Sequence, residues 1–351
     1  MRIMTTIPQH HLAASQAAAA AAEAQGYHGV VTLENRHDPF LPLAVAATAT
    51  ARLELATGVA IAFPRSPMVT ANLAWDLNAA SGGRFVLGLG PQIRAHNEKR
   101  FSVPWTAPVS RMREYVQALR AIWQTWQQGE PLRYLGEHYQ FSLMPPNFVP
   151  EPVPHPPPPV TLAAVGKAML SLAGEVADGV RLHPFCTRRY CEESVLPALQ
   201  RGLAKSGRSR AQFEISGGGF VATGPDDETV DRMLTWVRQR IGFYASTPAY
   251  WPVLETEGYG ALGPKLNQMT KAGRWQDLAA AVPDSLLHAC TAIGRHDQIK
   301  DALDRRFGGL IDTVLASASY EMPADLPPDL IQDLSRIAVP FKGFAKDNGT
   351  R

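Results

Sequence analysis

Residues 53–90 read LELATGVAIAFPRSPMVTANLAWDLNAASGGRFVLGLG, and this stretch decides the fold. Two short apolar runs, at residues 53–60 and 84–90, flank a segment of helical composition at residues 67–80. Strand-like runs that alternate with helical segments indicate parallel strands joined by helical crossovers. The turn SGGR, at residues 81–84, precedes the second run, and its glycines tolerate the positive φ of a tight turn. The stretch therefore predicts one strand–helix–strand unit.

The same alternation continues along the whole chain. Six further runs are predicted strands: RIMTTI at Arg2, GVVTLE at Gly29, VTLAAVG at Val160, GVRLHP at Gly179, FEISGGGFVAT at Phe213 and IDTVLAS at Ile311. Helices are predicted at residues 10–25, 40–51, 67–80, 108–128, 167–177, 190–205, 226–241 and 296–307. Eight strands and eight helices in alternation predict an α/β fold, the (β/α)8 TIM barrel, as a single domain over residues 1–351.

Two stretches depart from this alternation. Residues 144–160, MPPNFVPEPVPHPPPPV, are too rich in proline for a helix or a central strand, so we expect an extended loop. Residues 242–292 contain helical pieces and are far longer than an ordinary connection between a strand and a helix. We therefore expect a helical insertion between strands 7 and 8, which would serve as a lid or a subunit contact.

Composition excludes several classes of protein. Hydrophobic residues make up 45% of the chain and charged residues 19%, as in a globular enzyme. A net charge of +2 provides no broad basic field, so we expect no nucleic acid and no membrane partner. The three cysteines form no CxxC pair, and no metal site is expected. The Ala-rich start lacks the features of a secretion signal, which favours a cytoplasmic location and a small-molecule partner.

The run GLG at residues 88–90 resembles part of a dinucleotide-binding motif. It is followed by Pro91, and Ile93 stands where that motif has its third glycine, so the motif fails. Two interpretations stay open for Gly88 and Gly90. Their missing side chains admit either a flat ligand or packing between the layers of the barrel.

Longer segments carry a family resemblance. Residues 56–101 contain a T-G-V strand end, a Pro-x-x-Pro helix entry, S-G-G-R, a strand closing on G-L-G, and an Asn-Glu pair. With residues 111–126, 136–141, 159–180 and 293–303, this segment resembles the bacterial luciferase-like flavin and deazaflavin oxidoreductases. The closer resemblance is to the branch that uses coenzyme F420. It implies a barrel that binds its cofactor at the carboxyl ends of the strands.

The resemblance also implies cofactor-binding residues. A non-prolyl cis peptide is expected at Gly58-Val59, forming a bulge behind the cofactor ring, and Asn97 is expected to reach the ring or the ribityl chain. The turn formed by Ala164, Val165 and Gly166 would meet the phosphate, because free N–H groups at a helix start bind anions. Lys167 could add positive charge there.

A second turn, at Gly294 and Arg295, is another candidate anion site. Many relatives have a glycine-acid-proline turn at this place, where it usually only caps a helix.

The proton-transfer residue is harder to assign. Where relatives often show an acid-His pair, this chain has Glu34-Asn35, so the usual imidazole is missing. His37 and His183 are candidate substitutes, since histidine exchanges protons near neutral pH. Glu34 is a candidate base if burial raises its pKa.

These observations predict an F420-dependent oxidoreductase that transfers a hydride to or from an alcohol, an aldehyde or an unsaturated carbonyl compound. An FMN-dependent monooxygenase on the same barrel is the first alternative, and an inactive cofactor-binding homologue is the second. A barrel hydrolase is a weaker alternative, because no nucleophile constellation or metal cluster is visible. The resemblance further implies a homodimer.

Overall fold

A closed barrel of eight parallel strands lies at the centre of the computed structural model, which describes residues 1–316 and 325–344. The strands are β1 (Arg2–Thr6), β2 (Gly29–Thr32), β3 (Glu54–Thr57), β4 (Ala60–Ile61), β5 (Phe85–Gly90), β6 (Tyr134–Leu135), β7 (Gln140–Phe141), β8 (Val160–Ala164), β9 (Gly179–Leu182), β10 (Glu214–Gly217), β11 (Phe220–Gly224), β12 (Thr291–Arg295) and β13 (Thr313–Leu315). Around the barrel the order is β1, β2, β3, β5, β8, β9, β10 and β13, and β13 pairs back to β1. The predicted TIM barrel is confirmed.

Helices follow most of the strands and pack on the outside of the barrel. They are α1 (Leu12–Gln25), α2 (Leu41–Ala49), α3 (Pro67–Ala80), α4 (Arg94–Lys99), α5 (Pro108–Gln128), α6 (Lys167–Val176), α7 (Arg188–Tyr190), α8 (Leu196–Ser206), α9 (Asp227–Ala245), α10 (Trp251–Thr256), α11 (Leu262–Lys271), α12 (Asp284–Cys290), α13 (Ile299–Phe307) and α14 (Pro328–Ser335). A π-helical turn at Cys191–Val195 joins α7 to α8. Within the described residues, no helix combines the length and the hydropathy needed to cross a membrane.

The ends of the helices follow local sequence chemistry. The Ser66 hydroxyl accepts the N–H of Met68 and caps α3, whose first residue is Pro67. Gly26 ends α1 with φ of +92°, a left-handed conformation that glycine adopts without a steric penalty. The core lies between barrel and helices, where α5 buries Trp123 and Trp126 almost completely.

The proline-dense loop is bound to this helical layer. Gln127 donates to the carbonyl of Val153, and Asn78 donates to the carbonyl of Pro156. Only one short 3-10 turn, Pro146–Phe148, interrupts the segment before β8 begins.

The region between β10 and β13 differs from the sequence prediction in two ways. FEISGGGFVAT is two strands, β10 and β11, because Gly217 and Gly218 have φ of +85° and +80°, which ends the extended conformation. β11 then pairs in parallel with β12 outside the barrel. The strand β12 was missed, so the segment after residue 242 is not purely helical. The predicted eighth strand extends to Ser317, which lies outside the described residues.

Candidate functional site

The carboxyl ends of the barrel strands form one opening, which we call the mouth. Its loops begin at Ile7, Leu33, Ala62, Pro91, Val165, His183, Gly218 and Ala316. Catalytic and binding groups of TIM barrels lie at this face, because loops from all eight strands converge there.

A bulge lies between β3 and β4 at the mouth. Ala56 pairs with Val86 and Ala60 pairs with Leu89, so a step of four residues on one strand faces a step of three on the other. The peptide bond Gly58-Val59 within this bulge is cis, as predicted. The Thr57 hydroxyl donates to the Gly88 carbonyl at 2.7 Å and accepts the Gly88 N–H at 2.9 Å. These two bonds replace the strand pairing that the bulge interrupts.

Glu34 holds the segment that follows the bulge. Its carboxylate accepts the Ile61 N–H at 2.6 Å and lies 2.7 Å from the Arg65 guanidinium. Arg65 also donates to the Ile61 carbonyl at 3.0 Å. Because these donors occupy the carboxylate, the geometry suits a positioning residue better than a free base.

Asn97 is fully buried in α4, beside the loop after β5. Its amide nitrogen donates to the carbonyls of Pro91 and Ile93 at 2.9 and 3.1 Å, which fixes that loop. Its amide oxygen is buried without a partner. A buried unpaired acceptor is costly, so this oxygen can take a donor from a ligand that reaches the loop.

The turn after β8 leaves the start of α6 uncapped. Gly166 is the N-cap residue and has no side chain that could accept the first helical N–H groups. A Cβ atom built on Gly166 would meet no atom within 4 Å, and Lys167 beside it is exposed. Free N–H groups at an open helix start match the predicted phosphate contact at Ala164, Val165 and Gly166. With the unpaired Asn97 oxygen, they fit a phosphorylated tricyclic cofactor.

His183 follows β9 at the rim of the mouth. Its Nδ1 accepts the Phe185 N–H at 3.0 Å, and its Nε2 has no partner among the described residues. Ring centroids of Tyr244 and Tyr250 lie 4.1 and 4.5 Å from its own. Burial lowers the pKa of His183 to about 3, so the ring is neutral near pH 7. Because Nδ1 accepts a hydrogen bond, the ring proton lies on Nε2.

The remaining candidates are less suited to a site. His37 is exposed, three residues beyond Glu34 on the same loop. Arg295 is paired with Asp227 at 2.9 Å and with Asp297 at 3.4 Å, so its charge is already balanced. A Cβ on Gly294 would come within 3.1 Å of Gln298.

Gly88 and Gly90 serve packing inside the barrel. A Cβ on Gly88 would lie 1.9 Å from the Thr57 carbonyl oxygen and 2.8 Å from Arg181 Nε. A Cβ on Gly90 would lie 2.8 Å from Val59 Cγ2. Protein atoms occupy the space that the ligand interpretation reserved for a flat ring, so the packing interpretation holds for both glycines.

Sequence reasoning missed Arg65, Arg181 and the two tyrosines around His183. The period of two along GVRLHP places Arg181 and His183 on one face of β9, a signal that could have identified Arg181. Tyr244 and Tyr250 come from the insertion, and nothing local in the sequence connects them to β9.

Comparison with known proteins was made on sequence and on structure. A protein of Mycobacterium tuberculosis without a characterised function is 50% identical over 315 residues, which cover 90% of this chain and 92% of that protein. A proposed coenzyme F420-dependent oxidoreductase of the same organism is 28% identical over 330 residues, which cover 88% of this chain and 91% of that protein.

Two solved structures share the fold. The coenzyme F420-dependent tetrahydromethanopterin reductase of Methanopyrus kandleri has a TM-score of 0.75 at 17% identity, covering 96% of this chain and 98% of its own. The oxygenating constituent of 3,6-diketocamphane monooxygenase from Pseudomonas putida, in complex with FMN, has a TM-score of 0.65 at 16% identity, covering 97% and 98%. The family model of the luciferase-like monooxygenases matches residues 2–313. This chain belongs to the luciferase-like monooxygenase family.

Proposed function

We propose that this protein is an F420-dependent oxidoreductase that transfers a hydride to or from a small alcohol, aldehyde or unsaturated carbonyl compound. Its relatives are oxidoreductases and monooxygenases, and one of them is a proposed F420-dependent oxidoreductase. The observation that carries the proposal is His183, a neutral imidazole at the rim of the mouth whose Nε2 is unpartnered among the described residues.

In this proposal, His183 donates a hydrogen bond from Nε2 to the substrate oxygen. A neutral donor stabilises negative charge that develops on a carbonyl oxygen during reduction. The bond from the Phe185 N–H to Nδ1 fixes the ring and its tautomer, while the edge-to-face ring of Tyr244 and the tilted ring of Tyr250 limit its rotation. Bound F420 would supply the hydride at C5 of its ring.

Other residues of the mouth would hold the cofactor. The free N–H groups at Gly166 and Lys167 would bind its phosphate, and the unpaired oxygen of Asn97 would accept a donor from the ring or the ribityl chain. Glu34 and Arg65 would position the bulge at Gly58-Val59 against the ring. In this assignment Glu34 acts through the backbone rather than as the base.

Titration of the purified protein with F420 and with FMN, followed by fluorescence, tests the cofactor. We expect saturable binding of F420 and weaker binding of FMN. Tight FMN binding without F420 binding would support the monooxygenase alternative, for which the FMN complex of a structural neighbour is the supporting observation. F420 binding without turnover of any alcohol or enone in a panel would support the inactive homologue.

Substitution of His183 tests the proposed donor. We expect His183→Gln to lower kcat about 10²-fold while the dissociation constant of F420 changes little, since removal of one such donor commonly has this effect. His138→Gln, in the β6–β7 hairpin, is the matched control and should retain full activity. Equal activity of His183→Gln and the wild type would refute this role.

The proposal includes a homodimer, which the resemblance implies, and a cytoplasmic location, which is expected from the sequence. Light scattering coupled to size-exclusion chromatography measures the first, and a mass of twice 38.2 kDa is expected.

A further inference from the structure

A cavity of about 510 Å³ lies outside the mouth, between α7, α12, β12 and α13. Its lining includes more basic than acidic side chains: Arg188, Arg189, His288, Arg305, Arg306 and Glu257. None of the residues predicted for the cofactor or for catalysis lines it. The cavity therefore needs its own explanation.

Two of its arginines are already neutralised. Arg188 pairs with Glu192 at 2.9 Å and Arg189 pairs with Glu193 at 2.8 Å, each within its own helical segment. Arg305 and Arg306 have no carboxylate partner among residues 1–316 and 325–344. The lining thus holds two arginines and one glutamate, Glu257, without an ion pair among the described residues, so its unpaired side chains carry a net positive charge.

The unpaired charge of Arg306 is costly in free energy, because Arg306 is only 8% exposed. Its guanidinium donates to the backbone carbonyls of Cys186 and Gly218, and its Nε is buried without a partner. Thr291, which also lines the cavity, has a buried hydroxyl without a partner. A buried cation is tolerated when a counter-charge and hydrogen bonds compensate its lost hydration. Here backbone carbonyls supply the hydrogen bonds, and no carboxylate of the described residues supplies the counter-charge.

We propose that this cavity is a binding site for a small anion, a phosphate or carboxylate group, held by Arg305 and Arg306. Arginine presents paired N–H donors that match the oxygens of either group. Thr187 and Thr291 line the same space: the Thr187 hydroxyl accepts the Tyr190 N–H and keeps its own proton to donate, and the Thr291 hydroxyl is buried just behind the lining without a partner in the described part of the chain. Glu257 repels the anion, so it weakens binding and favours ligands with a single acidic group.

Calorimetric titration of the full chain with inorganic phosphate and, separately, with acetate tests the site at constant ionic strength. We expect saturable binding that Arg305→Gln weakens about tenfold, the loss of one charge-assisted contact. Arg305 is exposed, so this variant should fold as the wild type does. The matched control is Arg336→Gln, which removes an exposed arginine of equal charge from its pair with Asp333 and should leave the affinity unchanged.

Glu257→Gln provides a test of opposite sign. It should tighten binding severalfold, whereas Asp333→Asn, with the same change in net charge, should not. Stronger binding of phosphate than of acetate identifies a phosphoryl ligand, and the reverse order identifies a carboxylate ligand.

The start of α6 is a second place where phosphate could bind, and Lys167→Gln separates the two. Binding that is weakened about tenfold in Arg305→Gln and unchanged in Lys167→Gln assigns the anion to the cavity. Binding lost only in Lys167→Gln, no binding at all, or equal affinity in Arg305→Gln and Arg336→Gln overturns the proposal. The F420 titration is a separate measurement, so failure of this proposal and failure of the proposed function are distinguishable.

Discussion

Ion pairs between arginine and glutamate lie at both ends of the barrel, but they have different roles at the two ends. At the amino ends of the strands, Arg2 bridges Glu54 at 2.7 Å and Glu214 at 3.0 Å, and each of the three is the first residue of its strand. Thr313 donates to Glu214 at 2.6 Å. These side chains pair with one another across the barrel and close this end, and Glu54 Oε1 and Glu214 Oε2 are buried there without a partner among the described residues.

At the mouth, the ion pair of Glu34 and Arg65 is used differently. Both side chains also bond to the backbone of Ile61, so they hold a loop instead of filling the interior. The N–H groups at Gly166 and the Nε2 of His183 are left open. The comparison teaches that charged side chains have different roles at the two ends. At the closed end they pair with one another inside the barrel and contribute to stability. At the mouth, Glu34 and Arg65 hold the backbone of one loop, and the polar groups at Gly166 and His183 are left without partners within the described ranges.

Removing a carboxylate from the closed end should have the largest effect. Glu214→Ala leaves Arg2 and the buried Arg181 without part of their counter-charge, and we expect a loss of about 3–5 kcal/mol in the free energy of unfolding. Urea denaturation measures it. Glu137→Ala, at an exposed residue of the hairpin, should stay within about 0.5 kcal/mol of the wild type. A loss below about 1 kcal/mol for Glu214→Ala would mean that the network contributes little to stability.

A pair of glycine substitutions sharpens the contrast between packed and open backbone. Gly88→Ala places a Cβ 1.9 Å from the Thr57 carbonyl oxygen, so the backbone must shift, at a cost of about 1–3 kcal/mol. Gly166→Ala meets no atom within 4 Å and should cost less, about 0.5–1 kcal/mol, because alanine is a poorer N-cap residue than glycine. Thermal unfolding of both variants checks this order, and equal losses would contradict it.

The barrel was predictable because its signals are local. Strand-length apolar runs alternate with helical segments, and each of the eight barrel strands lies within a predicted run. The bulge at Gly58-Val59 was predictable from the resemblance, since a glycine at a strand end alone is equally consistent with an ordinary turn. Failure came at FEISGGGFVAT, where three consecutive glycines should have indicated a break between two strands.

The roles of side chains depended on distant partners. Whether Gly88 faces a ligand or packs against protein is decided by the Thr57 carbonyl and by Arg181, which come from two other strands. Glu34 could be a base or a positioning residue until Arg65 and Ile61 are seen to occupy its oxygens. No local pattern encodes such contacts, so composition and spacing leave these alternatives open.

The pH dependence of the free energy of unfolding tests the electrostatics around His183. We expect a smaller change than for Glu214→Ala or Gly88→Ala. The pKa of His183 is about 3 in the folded protein because burial disfavours the charged ring, against 6.5 in the unfolded chain. Between these values the unfolded chain binds a proton that the native state does not. The free energy of unfolding therefore falls as pH is lowered, by about 1–2 kcal/mol between pH 6.5 and 5.

Urea denaturation of the wild type and His183→Gln at both pH values isolates this contribution. His28, whose pKa is also lowered by burial, titrates in both proteins, so only the difference between them reports on His183. The wild type should lose more stability than the variant on acidification, because glutamine has no proton to bind. Parallel losses would mean that the imidazole is hydrated and free to take a proton, in which case it would serve as an acid or base rather than as the neutral donor proposed for the mouth.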